Sequence, residues 1–338
     1  PPPPPPLTPR PWSSAASDVY KRQTKPWVAY RQFCQHFLAP LALSAHTDVR
    51  LTQLLGAYID GIPLDLASRL LPARTRLSLP LLTHIHLHAK SQRKHAGEAI
   101  DTTGRRMSRR ALLGLIDNLQ TCCEGLEWKL PATVWGDYYE DTNYSKSAAE
   151  HKAECVSTMI GEAQPQTAWD LGANDGRFSR LASQSGAFTV AFDVDPVAVE
   201  KNWRQVTGDN ESNLLPLLCD LTSPSPGVGW AGTERRSLTD RGPADLIIAL
   251  ALVHHLAIAN NVPLGMIAEY FAQLGTWLII EFVPKDDSQV QRLLASREDV
   301  FPDYDEDHFR AAFARHYKTV RSEPVLESIR VLYLMKRI

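Results

Sequence analysis

Residues 167–179 read TAWDLGANDGRFS. A short apolar run meets an acid at Asp170, then Gly172, three small or polar residues, and Gly176; beyond that the spacing turns helical. Glycines at these two places permit a tight turn and leave no side chain between backbone and ligand. The helix that follows points free N–H groups at the same spot. The stretch therefore reads as strand, turn, helix, with a ligand site at the carboxyl end of the strand.

Downstream, the same alternation repeats. The pattern predicts strands at 168–171, 188–193, 214–219, 245–252, 277–283, 319–324 and 330–335. Helices are predicted at 177–184, 196–206, 264–274, 288–297 and 307–317. Strands separated by helices imply right-handed crossovers and a parallel sheet. No helix separates the last two strands, so they are expected to pair antiparallel at one edge. The expected fold class is α/β: a Rossmann-like, seven-stranded, mostly parallel sheet with a terminal antiparallel pair. Open sheets of this kind bind ligands beyond the carboxyl ends of their strands.

A second acid, Asp193, closes the next predicted strand, 21 residues after Gly172. An acid at about that spacing can accept both hydroxyls of a ribose, which points to a nucleoside compound. The dinucleotide fingerprint asks for a bare G-x-G-x-x-G turn. Here Ala173 and Asn174 follow Gly172, and Asp170 and Asp175 crowd the turn. Those acids would repel phosphates and suit a cation that bears an amino group. S-adenosyl-L-methionine is such a ligand.

Over about residues 145–338 these features resemble class I S-adenosylmethionine-dependent methyltransferases. DLGANDG is similar to that family's first motif. The resemblance implies cofactor contacts from Asp170, Gly172, Asn174 and Gly176, and a ribose contact from Asp193. LLCDL implies that Asp220, with Leu221, faces the adenine. ADLIIALALVHHL is similar to the fourth motif, and seven strands with a terminal antiparallel pair to the family's sheet. The longer string from Pro224 to Leu256 also resembles a bacterial methyltransferase group, some of whose members are labelled nodulation-protein-like.

Three side chains are candidate bases: His254 and His255 after the fourth strand, and Glu281 at the end of the fifth. A general base helps only where the acceptor is protonated at working pH. Local packing is the alternative for each histidine, and a structural hydrogen bond for Glu281. Trp135, Tyr138, Tyr139 and Tyr144 cluster before a helix that Ser145 is placed to cap; the tyrosines either cover the cofactor or pack at an interface. Adenine amino methylation often uses an Asn/Asp-Pro-Pro-aromatic element after strand four, where this chain has Ala249-Leu-Ala-Leu252. Cytosine C5 methylation uses a Pro-Cys nucleophile, whereas Cys219 follows Leu218. Neither nucleobase chemistry is supported.

Residues 26–131 read as a helical domain and residues 132–160 as a connecting aromatic loop and helix, before a methyltransferase domain at 161–338. HIHLHAK sets His84, His86 and His88 at alternate positions. On a strand all three would share a face and could hold zinc or copper; on a helix only His84 and His88 do. The surroundings read as helical and no nearby acid or cysteine completes a set, so the expectation is an ordinary helix surface without metal.

The net charge of −2 hides an asymmetry. Residues 1–135 carry 17 Lys and Arg against 9 Asp and Glu; the remainder carries 19 against 29. Lys90, Arg93, Lys94, Arg105, Arg106, Arg109 and Arg110 form the basic stretch. It suits RNA or another anionic acceptor, or is a solvated face or docking surface; no interleaved aromatics accompany it. Residues 1–25 are expected to be a disordered or artefactual tail. No apolar run approaches the ~18 residues of a membrane span. Five cysteines without a C-x-x-C pair suggest a reduced, cytoplasmic setting. The methyl acceptor and the oligomeric state are not specified at this level. A small molecule or glycan-like acceptor is the leading expectation; RNA or protein methylation, or a non-catalytic cofactor-binding scaffold, are the alternatives.

Overall fold

The computed structural model describes residues 27, 29–94, 107–131, 144–295 and 298–338. The chain divides into two compact units, Pro1–Lys129 and Leu130–Ile338. Among the described residues no helix is long and apolar enough to cross a membrane, and all five cysteines are free thiols.

The described part of the first unit is helical. Its helices include Ala39–His46, Leu64–Leu70, His88–Lys94 and Arg109–Glu124, with π-helical turns at Cys34–Leu38 and Leu82–Leu87 leading into the first and third. Ser108 caps the longest of them, its hydroxyl accepting the Ala111 N–H at 3.1 Å. Leu115, Leu119 and Cys122 turn inward from that helix to join Leu38, Leu43, Ile62 and Ile85 in one core.

The histidine run departs from expectation. His84 and His86 are buried, not on a helix surface. Within the Leu82–Leu87 turn Thr83 and Leu87 are exposed while His84, Ile85 and His86 are buried, and both buried imidazoles meet polar partners. His84 bonds the Tyr30 hydroxyl and Asn118 Oδ1, each at 2.7 Å. His86 bonds Ser68 at 2.8 Å and Thr75 at 2.9 Å. His88 stacks on Tyr30 at 5.0 Å. Among the described residues no group of three His, Cys, Asp or Glu is arranged to hold a metal ion. Lys90, Arg93, Lys94, Arg109 and Arg110 are exposed; Arg105 and Arg106 lie outside the described residues.

The second unit is built on seven strands: β1 (Thr167–Leu171), β2 (Phe188–Asp193), β3 (Leu214–Leu218), β4 (Ala244–Ala249), β5 (Gly275–Phe282), β6 (Tyr317–Pro324) and β7 (Val331–Arg337). Their order is β3-β2-β1-β4-β5-β7-β6. The first five run parallel, and β7 runs antiparallel to both β5 and β6. Composition explains why β7 lies inside and β6 outside. Leu332, Tyr333, Leu334 and Met335 are buried, while β6 exposes Lys318, Arg321 and Ser322. A charged, exposed strand belongs at an edge.

Both faces of the sheet are covered, which accounts for the unbroken apolar run in β4. Leu246 and Ile248 pack with Val156, Met159, Ile160 and Phe178 on one side. Ile247 and Ala249 pack with Phe271, Leu278, Phe309 and Phe313 on the other. Each fully buried Ile or Phe contributes about 1.5–3 kcal/mol relative to exposure. The strand order reverses between β1 and β4, so the crevice at their carboxyl ends is the place for a ligand.

β4 is shorter than the sequence suggests. It ends at Ala249, and residues 250–252 turn away from the sheet because Ala251 adopts φ 48° and its N–H is drawn 2.7 Å from Glu281 Oε2. Ser145 caps the Lys146–Ala163 helix as expected, accepting the Ala148 N–H at 3.1 Å.

Candidate functional site

The turn after β1 is fastened to β2 by backbone and side chain together. The N–H groups of Gly172 and Ala173 both donate to the Phe192 carbonyl at 2.9 Å. The Asn174 N–H donates to Asp193 Oδ2 at 2.7 Å, and the Asp195 N–H to Asp193 Oδ1 at 2.8 Å. Gly172 (φ 78°) and Gly176 (φ 84°) hold left-handed conformations that side chains disfavour. A Cβ on Gly172 would lie 3.2 Å from Leu252 across the crevice. A Cβ on Gly176 would lie 2.4 Å from Asn202 Nδ2.

Asp170, one residue before the end of β1, is 2% exposed. The Ser179 hydroxyl donates to its Oδ2 at 2.6 Å. Burial pushes its carboxyl up to about 7, with Asp193 adding to the effect against the Ser179 bond. Burial also raises Asp193, opposed by the N–H groups it accepts. Asp220, just past β3, accepts the Thr222 N–H at 2.8 Å and the Thr222 hydroxyl at 2.7 Å on one oxygen.

One cavity of about 320 Å³ brings most of these residues together. Asp170, Gly172, Asn174, Asp193, Asp220, Leu221 and His255 all line it. These residues come from four segments, at the ends of β1, β2, β3 and β4, that only the sheet order makes neighbours. Gly176, His254 and Glu281 do not line it. Gly176 is the N-cap of the Arg177–Gln184 helix and meets Asn202.

The two histidines divide. His255 faces the cavity; burial, then the Arg330 charge, pushes its imidazole down to about 4. It is therefore neutral around pH 7. His254 is 1% exposed, its ring centre 4.1 Å from that of His255, and its Nδ1 has no hydrogen-bond partner among the described residues. Burial and the neighbouring His255 hold it well below the usual histidine range.

Glu281 is fully buried behind the cavity wall. Lys152 Nζ donates to its Oε2 at 2.7 Å, and the Ala251 N–H donates to the same oxygen. The Tyr144 hydroxyl donates to Oε1. Burial alone would raise this carboxyl, but Lys152 and Arg330 outweigh it and the net direction is down. Glu281 is thus a carboxylate held by Lys152, Tyr144 and the Ala251 N–H, and it does not line the cavity.

Tyr144 lines the cavity; Trp135, Tyr138 and Tyr139 lie outside the described residues. Lys152, Arg177, Thr222 and Asn260 also line it and were not singled out from sequence. Lys152 did leave a signal. It falls on the helix face shared by Ala148, Val156 and Met159, where a lysine at i, i+4 spacing among buried apolar residues is out of place.

No family model matches the chain. It is 34% identical over 317 residues to the nodulation protein NoeA of Rhizobium meliloti (strain 1021), a match covering 92% of this chain and 66% of that protein. The chain therefore spans just under two thirds of that relative's length. Among solved structures, magnesium protoporphyrin IX methyltransferase (ChlM) from Synechocystis PCC 6803 with bound SAH aligns with a TM-score of 0.42 and 16% identity. That alignment covers 59% of this chain and 91% of the other. The N-methyltransferase NodS from Bradyrhizobium japonicum WM9 aligns with a TM-score of 0.40 and 10% identity, covering 57% and 98%. The chain is thus similar to NoeA over most of its own length, and its sheet runs in the order β3-β2-β1-β4-β5-β7-β6.

Proposed function

We propose that the Leu130–Ile338 unit is an S-adenosylmethionine-dependent methyltransferase whose acceptor is a small molecule or glycan-like metabolite. One observation carries this reading. Acids at three successive strand ends (Asp170, Asp193 and Asp220) line a single cavity beside a glycine turn.

The donor set suits the ligand. A carboxylate offers about four acceptor sites. Asp193 accepts backbone N–H groups on both oxygens and still lines the cavity, where a carboxylate suits a ribose diol. Asp170 accepts from Ser179 and lines the cavity, where its carboxylate suits an ammonium. An isolated pair of buried acids favours protonation, and a cation restores their charge. The cavity volume lies within the usual range for small-ligand sites, about 300–1,000 Å³.

When bound, S-adenosylmethionine supplies an electrophilic methyl group: an acceptor lone pair bonds to it as the carbon–sulfur bond breaks, leaving the electron pair on sulfur. The chain's own task is to hold both partners in line, which can contribute roughly 7–11 kcal/mol. His255, neutral and facing the cavity, takes the proton of an acceptor that must lose one. Glu281 and His254 are not assigned that step, because neither lines the cavity.

Incubation with methyl-labelled cofactor and cell extract tests the reading. Label is expected in the small-molecule fraction. Label in RNA or protein would overturn the acceptor class, and cofactor binding without any transfer would reduce the unit to a scaffold.

A further inference from the structure

The first unit carries an apolar and basic surface that the second unit's chemistry does not use. Between Leu66 and Gly97 the chain has six Lys and Arg, no Asp or Glu, and no Phe, Tyr or Trp. All six basic side chains are exposed. Leu77 is 89% and Leu79 69% exposed, a pair of leucines held out between the 3-10 turn Ala73–Leu77 and the helical turn Leu79–Leu81. Leu87 is exposed as well, eight residues beyond Leu79 with exposed Thr83 midway, a spacing that sets all three along one side of the helical run. The Leu79–Leu81 turn packs against the Arg109–Glu124 helix, where Leu113 and Ile116 are exposed one turn apart and follow exposed Arg109 and Arg110.

Single exposed leucines are ordinary on a protein surface. Five large aliphatic side chains on touching elements, in surroundings of one charge sign, mark an interaction surface. RNA would take the charges and leave the leucines uncovered, and the Leu66–Gly97 stretch offers no Phe, Tyr or Trp ring on which a base could stack. Protein hot spots are rich in Trp and Tyr and poor in Leu. An anionic bilayer surface takes both components: aliphatic side chains enter the boundary between headgroups and acyl chains, and Lys and Arg stay at the phosphates.

We propose that this face of the first unit, with Leu77 and Leu79 at its tip, docks on the surface of an anionic lipid bilayer without spanning it. The proposal does not depend on the cofactor reading of the second unit.

Cosedimentation of the full chain compares vesicles of phosphatidylcholine alone with vesicles of phosphatidylcholine and phosphatidylserine. The wild type should partition onto the anionic vesicles at least roughly tenfold more strongly, as several basic residues near a charged surface require. Leu77→Ser combined with Leu79→Ser removes side chains that lie mostly in solvent, and should lower that partitioning roughly tenfold or more. Arg76→Gln combined with Lys90→Gln should lower it by a similar factor, and added salt should weaken the wild type in the same direction. No vesicle binding, or equal binding to both compositions, overturns the proposal. So does anionic binding that the serine pair leaves unchanged, since that would be charge attraction alone. Retention of single-stranded RNA that exceeds vesicle binding and ignores the serine pair also overturns it, and gives the surface to nucleic acid.

Discussion

The Asn174 N–H lies 2.7 Å from Asp193 Oδ2, so the turn after β1 and the acid at the end of β2 brace each other without help from a ligand. Asp193 thereby has two jobs. It shapes the turn, and it offers its remaining lone pairs to the cavity. Asp193→Ala should remove both and weaken S-adenosylmethionine binding by roughly a hundredfold, as expected for losing charge-assisted bonds. Calorimetry would show this; a change under about threefold would remove Asp193 from the binding set.

Asp170 sets a pH dependence. Burial pushes its carboxyl up to about 7, so in the free protein it gains a proton as pH falls through that value. A cationic ligand prefers the ionised form. Affinity for S-adenosylmethionine should therefore fall from pH 8 to pH 6, by at most roughly tenfold per unit for one proton. His255, down at about 4, stays neutral across this window. The slope should vanish in Asp170→Asn, and a slope that persists there would assign the proton elsewhere.

Gly176 is a packing position with a steep cost. Its φ is 84°, and an added Cβ would press on Asn202, whose Oδ1 is held by Arg180 at 3.0 Å. Gly176→Ala should lower stability by about 1–3 kcal/mol. Thermal denaturation measures this; an unchanged midpoint would mean that Asn202 moves freely.

His255→Ala should separate binding from transfer. Cofactor affinity is expected to stay within about threefold. Transfer to an acceptor that must lose a proton should drop roughly 10²-fold or more at pH 7. Equal loss of binding and transfer would make His255 a wall residue.

His84 and His86 predict acid sensitivity in the first unit. Burial holds both imidazoles below their ordinary value. Below pH ~6.5 the unfolded chain takes up protons that the folded unit does not, so stability should fall as pH falls through that value. Hydrogen exchange of the Arg109–Glu124 helix at pH 7.5 and 5.5 would report it. In His86→Gln the dependence should be shallower; an unaltered one would exclude that residue.

Local pattern carried much of this protein. The alternation of apolar runs with helical spacing determined the seven strands and the five helices expected in residues 167–338, since burial on two sheet faces demands it; the short helical turns at Trp230–Gly232, Leu238–Arg241 and His255–Ala259 left no such pattern. The glycines of the first turn, and the acids that close β1 and β2 or follow β3, were legible for the same local reason. Tertiary structure decided which residues meet. Asp170, Asp193, Asp220 and His255 share a cavity only because β1 lies between β2 and β4, with β3 outside β2. The left-handed Ala251 ends β4 early and places Glu281 behind the wall, bound to Lys152 from a helix more than a hundred residues earlier. The burial of His84 and His86 depended likewise on Tyr30, Ser68, Thr75 and Asn118, none of them adjacent in sequence. Periodicity records which way a side chain faces along its own element; the partner it finds there is set by how the elements pack.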